Sequence, residues 1–99
     1  MDAELKAKWL AALRSGKYAQ GDGKLRGTNG RFCCLGVLCD VYDPTRWQEH
    51  DRDACFQYSF NTAFLPTELA DGIEEYTLTT MNDNGVPFAE IADWIEANL

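Results

Sequence analysis

Five cations of the first third, Arg14, Lys17, Lys24, Arg26 and Arg31, are interleaved with Gly16, Gly21, Gly23, Gly27 and Gly30, and Tyr18 lies among them. Glycine lets backbone N–H groups approach a ligand closely, and Lys and Arg supply donors for phosphate. A tyrosine ring can stack on a base. The pattern therefore reads as an anion or nucleotide site contacted by Arg14, Lys17, Tyr18, Lys24, Arg26 and Arg31. It is not a phosphate loop, because Gly-x-x-x-x-Gly-Lys-Ser/Thr is absent. The same residues also fit a hairpin with glycines at its turns and Lys24 and Arg26 in water. Both readings stay open at this level.

Other chemistries find weaker footing. Cys33, Cys34, Cys39, His50 and Cys55 are the soft ligands, but none forms the close Cys-x-x-Cys pair that zinc favours. On a helix, Cys34 and Cys39 would stand about 140° apart and could not readily share a metal. The expected compartment is reducing, where disulfides are rare, and adjacent Cys33 and Cys34 cannot easily bridge each other, so the four read as free thiols behaving as small core hydrophobes. His50, the one histidine, sits in the charged stretch Glu49-His50-Asp51-Arg52-Asp53 and reads as solvated rather than catalytic. No catalytic residue, metal or cofactor is expected. A last candidate is an acidic face made by Asp40, Asp43, Glu68, Asp71, Glu74, Glu75, Asp83, Glu90, Asp93 and Glu96. Such a face can meet a basic patch by imitating a phosphate array; the alternative is an ordinary solvated helix surface.

The charge is unevenly placed. Up to Cys34 there are seven bases and three acids, net +4; from Leu35 onward two bases and thirteen acids, net −11. The split predicts an anion-attracting side and an acidic side on one body. The 99 residues suit one domain, spanning 1–99, and twelve aromatics argue against disorder. No apolar run approaches the roughly 18 residues needed to span a bilayer. Met1-Asp2-Ala3-Glu4-Leu5 lacks a basic segment leading into an apolar one, so a cytoplasmic protein is expected.

These residues must be positioned by recognisable elements. Leu5, Trp9, Ala12 and Leu13 make one stripe of a helix over 3–15, capped by Asp2 and ended by Gly16. Thr28-Asn29-Gly30 carries the Asn-Gly pair of a type I′ turn and predicts strands near 24–27 and 31–33, with Tyr18-Ala19-Gln20 as a third short strand. The run from Phe32 to Tyr42 is apolar on every side and ends at Asp43-Pro44. It predicts a strand entering a central buried helix over 34–42, in which Gly36 admits the close approach of another element. Residues 43–61 read as irregular, with a strand-like alternation at Phe56, Tyr58 and Phe60. Short helices follow, one with Pro66 at its first position and Gly72 as its stop, the next from a Thr77 cap to Asn82, ending at Gly85. Pro87 opens the final helix, striped by Phe88, Ile91, Ala92, Ile95 and Leu99. The fold class is α+β: amphipathic first and last helices and a central buried helix, packed with a small antiparallel sheet.

Three segments in this order carry a resemblance: Lys8-Trp9 through Ala12-Leu13-Arg14-Ser15-Gly16-Lys17-Tyr18 to Gln20-Gly21, then Cys33-Cys34-Leu35-Gly36-Val37-Leu38-Cys39-Asp40, then Asn82-Asp83-Asn84-Gly85 with Phe88-Ala89-Glu90-Ile91-Ala92-Asp93-Trp94-Ile95-Glu96. The chain resembles a family of small proteins encoded by bacteriophages, prophages and their hosts. The resemblance covers nearly the whole chain and brings no catalytic residues. It implies a phage setting, and with it a non-enzymatic binding protein that counters a host defence system by binding a host protein or sequestering a nucleotide signal. The alternatives are a small enzyme acting on a phosphorylated metabolite and a structural or regulatory partner of a phage protein. Neither a membrane nor direct nucleic-acid binding is expected.

Overall fold

The computed structural model describes residues 1–50, 55–59 and 61–99. Helix α1 (Ala3–Arg14) begins where the Asp2 carboxylate accepts the Leu5 N–H at 2.9 Å. It buries Trp9, Leu10 and Leu13, with Leu5 and Ala12 half-covered, so Leu10 widens the expected stripe.

Two short strands follow, β1 (Ala19–Gln20) and β2 (Arg31–Phe32), paired in parallel with Ala19 opposite Arg31 and Gln20 opposite Phe32. The expected hairpin between 24–27 and 31–33 shrinks to one antiparallel bridge, Arg26 opposite Phe32. It is closed by the Gly27 N–H on the Arg31 carbonyl at 2.9 Å and the Cys33 N–H on the Leu25 carbonyl at 3.2 Å. Gly30, at φ 79°, takes the left-handed position that the turn demands. The ladder cannot lengthen. Cys33 already serves as the cap of the next helix, and the Leu25 N–H is committed to the Thr62 carbonyl at 2.8 Å.

Helix α2 (Cys34–Tyr42) is the centre of the molecule, buried on all sides from Cys34 to Cys39, which is why its sequence shows no apolar period. The approach expected at Gly36 is present: a Cβ there would lie 1.8 Å from the Leu25 carbonyl oxygen. Helix α2 packs between α1 and α4 (Glu75–Asp83), and α5 (Phe88–Asn98) packs on α1 and α4. The buried Trp9 indole donates to the Cys34 carbonyl at 2.9 Å, joining α1 to the head of α2.

Beyond α2, a 3-10 turn (Pro44–Arg46) leads into β3 (Trp47–His50), paired antiparallel with β4 (Cys55–Tyr58). Residues 43–61 are therefore less irregular than the sequence implies. Strand β3 escapes notice because Trp47-Gln48-Glu49-His50 has a single large apolar residue and no alternation. Phe60 lies outside the described residues. Helix α3 (Thr67–Ala70) starts one residue after Pro66, which caps rather than opens it. Helix α4 starts two residues before Thr77, because the Glu75 side chain accepts the Leu65 N–H at 2.7 Å and pins the helix start there. Helix α5 buries Phe88, Ile91, Ala92 and Ile95 as its stripe requires. The fold is α+β, its antiparallel sheet lying at β3–β4. No helix among the described residues is long and apolar enough to cross a membrane.

Trp9→Ala and Ile91→Ala should each lower stability by about 2–5 kcal/mol in denaturant titration, as for large-to-small changes in a packed core. Gly36→Ala should cost about 3 kcal/mol or more, because its new methyl meets backbone that cannot rotate away. A loss below about 1 kcal/mol at any of the three would contradict this packing.

Candidate functional site

The glycine-rich loop after β1 is held from beneath by the last turn of α4. The Asn82 amide, 2% exposed, donates to the Gly21 carbonyl at 2.7 Å and accepts from the Cys34 N–H at 3.1 Å and the Gln20 amide at 3.2 Å. The Gln20 amide also donates to the Val86 carbonyl at 2.7 Å and accepts the Phe88 N–H at 3.2 Å. Next to Asn82, the Asp83 carboxylate accepts the Gly23 N–H at 3.1 Å. One residue pair on α4 thus fixes the loop over 20–23, and Gln20 carries the fixation into the head of α5.

Above this support lies a hollow of about 260 Å³ lined by Gly21, Asp22, Lys24, Gly27, Asn29 and Arg31. Arg31 is shared with a neighbouring depression that reaches Gln20, Asn82 and Asp83. The Arg31 guanidinium donates to the Gln20 carbonyl at 3.2 Å, which leans the side chain along the loop. Lys24 is half-buried and borders both this hollow and a second one, of about 230 Å³, lined by Cys33, Phe64, Thr79 and Asp83.

Of the six contacts read from the sequence, Lys24 and Arg31 share the hollow. The rest are placed elsewhere. Arg14 reaches across to α5, with Asp93 at 2.8 Å and Glu96 at 3.2 Å, and these hydrogen bonds raise its pKa. Lys17 is exposed just beyond α1, where its N–H donates to the Ser15 hydroxyl at 3.1 Å. Tyr18 is half-buried, edge-on to Phe32 at 5.0 Å, and its hydroxyl donates to Asp40 at 2.6 Å, so its ring is already occupied by packing. Arg26 is not on the surface of a hairpin. Its guanidinium lies 4.1 Å from the Phe56 ring centre, 5.4 Å from that of Phe32 and 5.5 Å from that of Trp47, with its buried Nε lacking a hydrogen-bond partner. Trp47 adjoins Phe32, Phe56 and Tyr58 in edge contacts and donates its indole N–H to Asp40 at 3.0 Å. The Arg26 charge is accommodated by ring faces, a cation–π arrangement that excludes it from the hollow.

The acidic face is likewise divided. Asp40 turns toward Tyr18 and Trp47, Glu68 pairs with Arg46, and Asp93 and Glu96 hold Arg14. Asp43 caps the 3-10 turn through Thr45, which lowers its pKa. Among the described residues no group of three His, Cys, Asp or Glu is placed to hold a metal. The four cysteines are free and buried. Burial raises the Cys33 thiol to about 11 and pushes Cys34 and Cys39 upward as well, which disfavours the nucleophilic thiolate. His50 ends β3, and residues 51–54 lie outside the described residues.

Sequence reasoning missed Gln20 and Asn82 as the support of the site. The available signal was Asn82 itself, an amide inside a helical segment, where such residues are disfavoured unless their side chain has a partner.

Residues 1–74 match a protein family described as a domain of unknown function (DUF8296). No curated protein and no solved structure matches the chain.

Two measurements check this chemistry. The four thiols should be silent to a disulfide reagent in the native protein and all four titrate once it is unfolded; fast native labelling of one would refute the burial. Desolvation, with the Asp40 bond second, raises the Tyr18 phenol to about 12. Its folded pKa exceeds its unfolded one, so its contribution to stability is complete below about pH 10 and fades as pH climbs toward 12. Tyr18→Phe should flatten the loss of stability across that window in alkaline denaturant titrations; an unchanged profile would assign the loss to other groups.

Proposed function

We propose that this chain, which belongs to the DUF8296 family, is a non-catalytic binding protein that holds a phosphorylated small molecule of the nucleotide class in the hollow between Lys24 and Arg31. The observation that carries the reading is the placement of these two cations on one hollow walled by the backbone of Gly21 and Gly27. Unshielded backbone approaches a phosphate closely, and Arg supplies a planar donor fork. The loop's support by Asn82 and Asp83 favours it, because a site fixed in advance loses less entropy on binding. The protonated, buried thiols favour binding over covalent chemistry. In the phage setting implied by the resemblance, capture of a nucleotide signal would blunt a host defence response.

Calorimetry against mono-, di- and cyclic nucleotides tests the reading. Binding should weaken with added salt, since exposed charge contacts are screened over about 8 Å near physiological ionic strength. Arg31→Ala should weaken it by about 1.5–3 kcal/mol, roughly tenfold to hundredfold, and Lys24→Ala should act in the same direction. Arg26→Ala should instead lower stability, because its loss uncovers three rings. Absence of binding below millimolar, or equal binding by the Arg31 variant, would end the proposal.

A further inference from the structure

Two large aromatic side chains stand in water: Tyr76 is 85% exposed and Phe64 is 64% exposed. Scattered apolar residues on a surface need no explanation, but adjoining ones do. These two adjoin. The Leu65 N–H donates to the Glu75 carboxylate at 2.7 Å, which fastens the residue after Phe64 to the residue before Tyr76. Phe64 also lines the hollow of about 230 Å³ together with Ala63, Thr79 and the buried Cys33. Thr79 is one turn along α4 from Tyr76 and faces the same way. A recess with Cys33, Ala63 and Phe64 as its apolar wall and Lys24 and Asp83 at its edge therefore lies beside α4, with Tyr76 one turn from its Thr79.

Charge indicates what would cover them. Glu74 and Asp83 are exposed, and α4 with its cap carries Glu74, Glu75 and Asp83 and no base. From Asp53 to Leu99 there are nine acids and neither Lys nor Arg. Lys24, at the recess edge, is the base that the described residues place there. A second copy docking through this same face would bring like charge against like charge, which is costly at an interface. A partner bearing Lys or Arg would meet the opposite sign.

We propose that Phe64, Tyr76 and the recess between Phe64 and Thr79 form a docking surface for a protein segment that presents one apolar anchor flanked by Lys or Arg. The anchor enters the recess over Cys33, the rings of Phe64 and Tyr76 cover its sides, and the flanking cations meet Glu74 and Asp83. Interfaces of this kind draw most of their affinity from a buried anchor and its aromatic surround. The surface borders the anion hollow at Lys24 and shares Asp83 with the support of its loop, but Arg31 lies outside it and docking needs no bound anion.

Selection of a random displayed peptide library on the wild-type protein tests this, followed by anisotropy titration of the enriched sequences as synthetic peptides. The expected result is enrichment of an aliphatic or aromatic residue beside Lys or Arg, with affinity that falls as salt rises. Phe64→Ser/Tyr76→Ser should weaken the synthetic peptides at least tenfold, while Arg31→Ala leaves them unchanged. Both altered positions are exposed, so thermal unfolding should match wild type. If the double variant is destabilised, Tyr76→Ser alone carries the same expectation. Failure to enrich a class, enrichment of acidic or anchor-free peptides, or equal binding by the variants would overturn the proposal. So would sedimentation showing a wild-type dimer that the same substitutions dissociate, which would make the occupant a second copy.

Discussion

One buried amide holds the parts of this protein together. Asn82, near the end of α4, joins the head of α2, the start of the glycine-rich loop and, through Gln20, the head of α5. Each bond is short-range and directional, and the groups it serves are the ones that helix ends and loops leave without partners. In a buried setting an amide that loses these partners costs far more than each bond contributes by itself. The position admits only a side chain with a donor and an acceptor at this reach. Leu or Asp would satisfy the volume and fail the pairing.

A second constraint is steric. Helix α2 can sit at the centre only because Gly36 lets the Leu25 backbone touch the helix surface. That contact fixes where residues 24–27 run, and so places Lys24 on the hollow while Arg26 turns into the aromatic group around Trp47. Two cations two residues apart would share a face of a regular strand; they part here because Lys24 lies in a bend before the bridge that sets Arg26 opposite Phe32. The exposed pairs of Arg14 with Asp93 and Glu96, and of Arg46 with Glu68, contribute little free energy each. Their effect is to orient α5 on α1, and α3 on the β3–β4 unit, where apolar burial supplies the stability.

The helices were legible in the sequence because amphipathic period and caps are local properties. The Asp2 cap, the stripe of α5 and the apolar run of α2 all depend on residues within a few turns of one another. The accommodation at Gly36 was legible as well, since a glycine within an otherwise apolar helix asks for a close neighbour. Strand β3 was not, because its pairing with Cys55–Tyr58 is decided by a partner rather than by its own pattern. The candidate site was half legible. The sequence shows that cations and glycines cluster, but not that Arg14 finds an acid pair on α5, or that Tyr18 and Trp47 converge on Asp40. Those partners lie tens of residues away or on elements whose orientation the sequence leaves open. A cation count therefore overstates the ligand contacts available in an acidic chain, where opposite charges find one another first.

The two ends of α4 then govern two different surfaces. At its C-terminal end, Asn82 and Asp83 hold the loop that forms the floor and edge of the anion hollow. At its N-terminal end, Glu75 holds the Leu65 backbone and so ties the segment that carries Phe64 to the helix start that carries Tyr76. The carboxylates that do this work are hydrogen-bonded to backbone N–H groups, an interaction that persists in salt better than exposed ion pairs do. Helix α4 thus anchors, at its two ends, the two loop segments that line the hollow and the recess. Lys24 and Asp83 border the recess beside Phe64 and mark where the two surfaces meet. One short helix thereby positions, from its two ends, the loops that make two surfaces of different charge on so small a body.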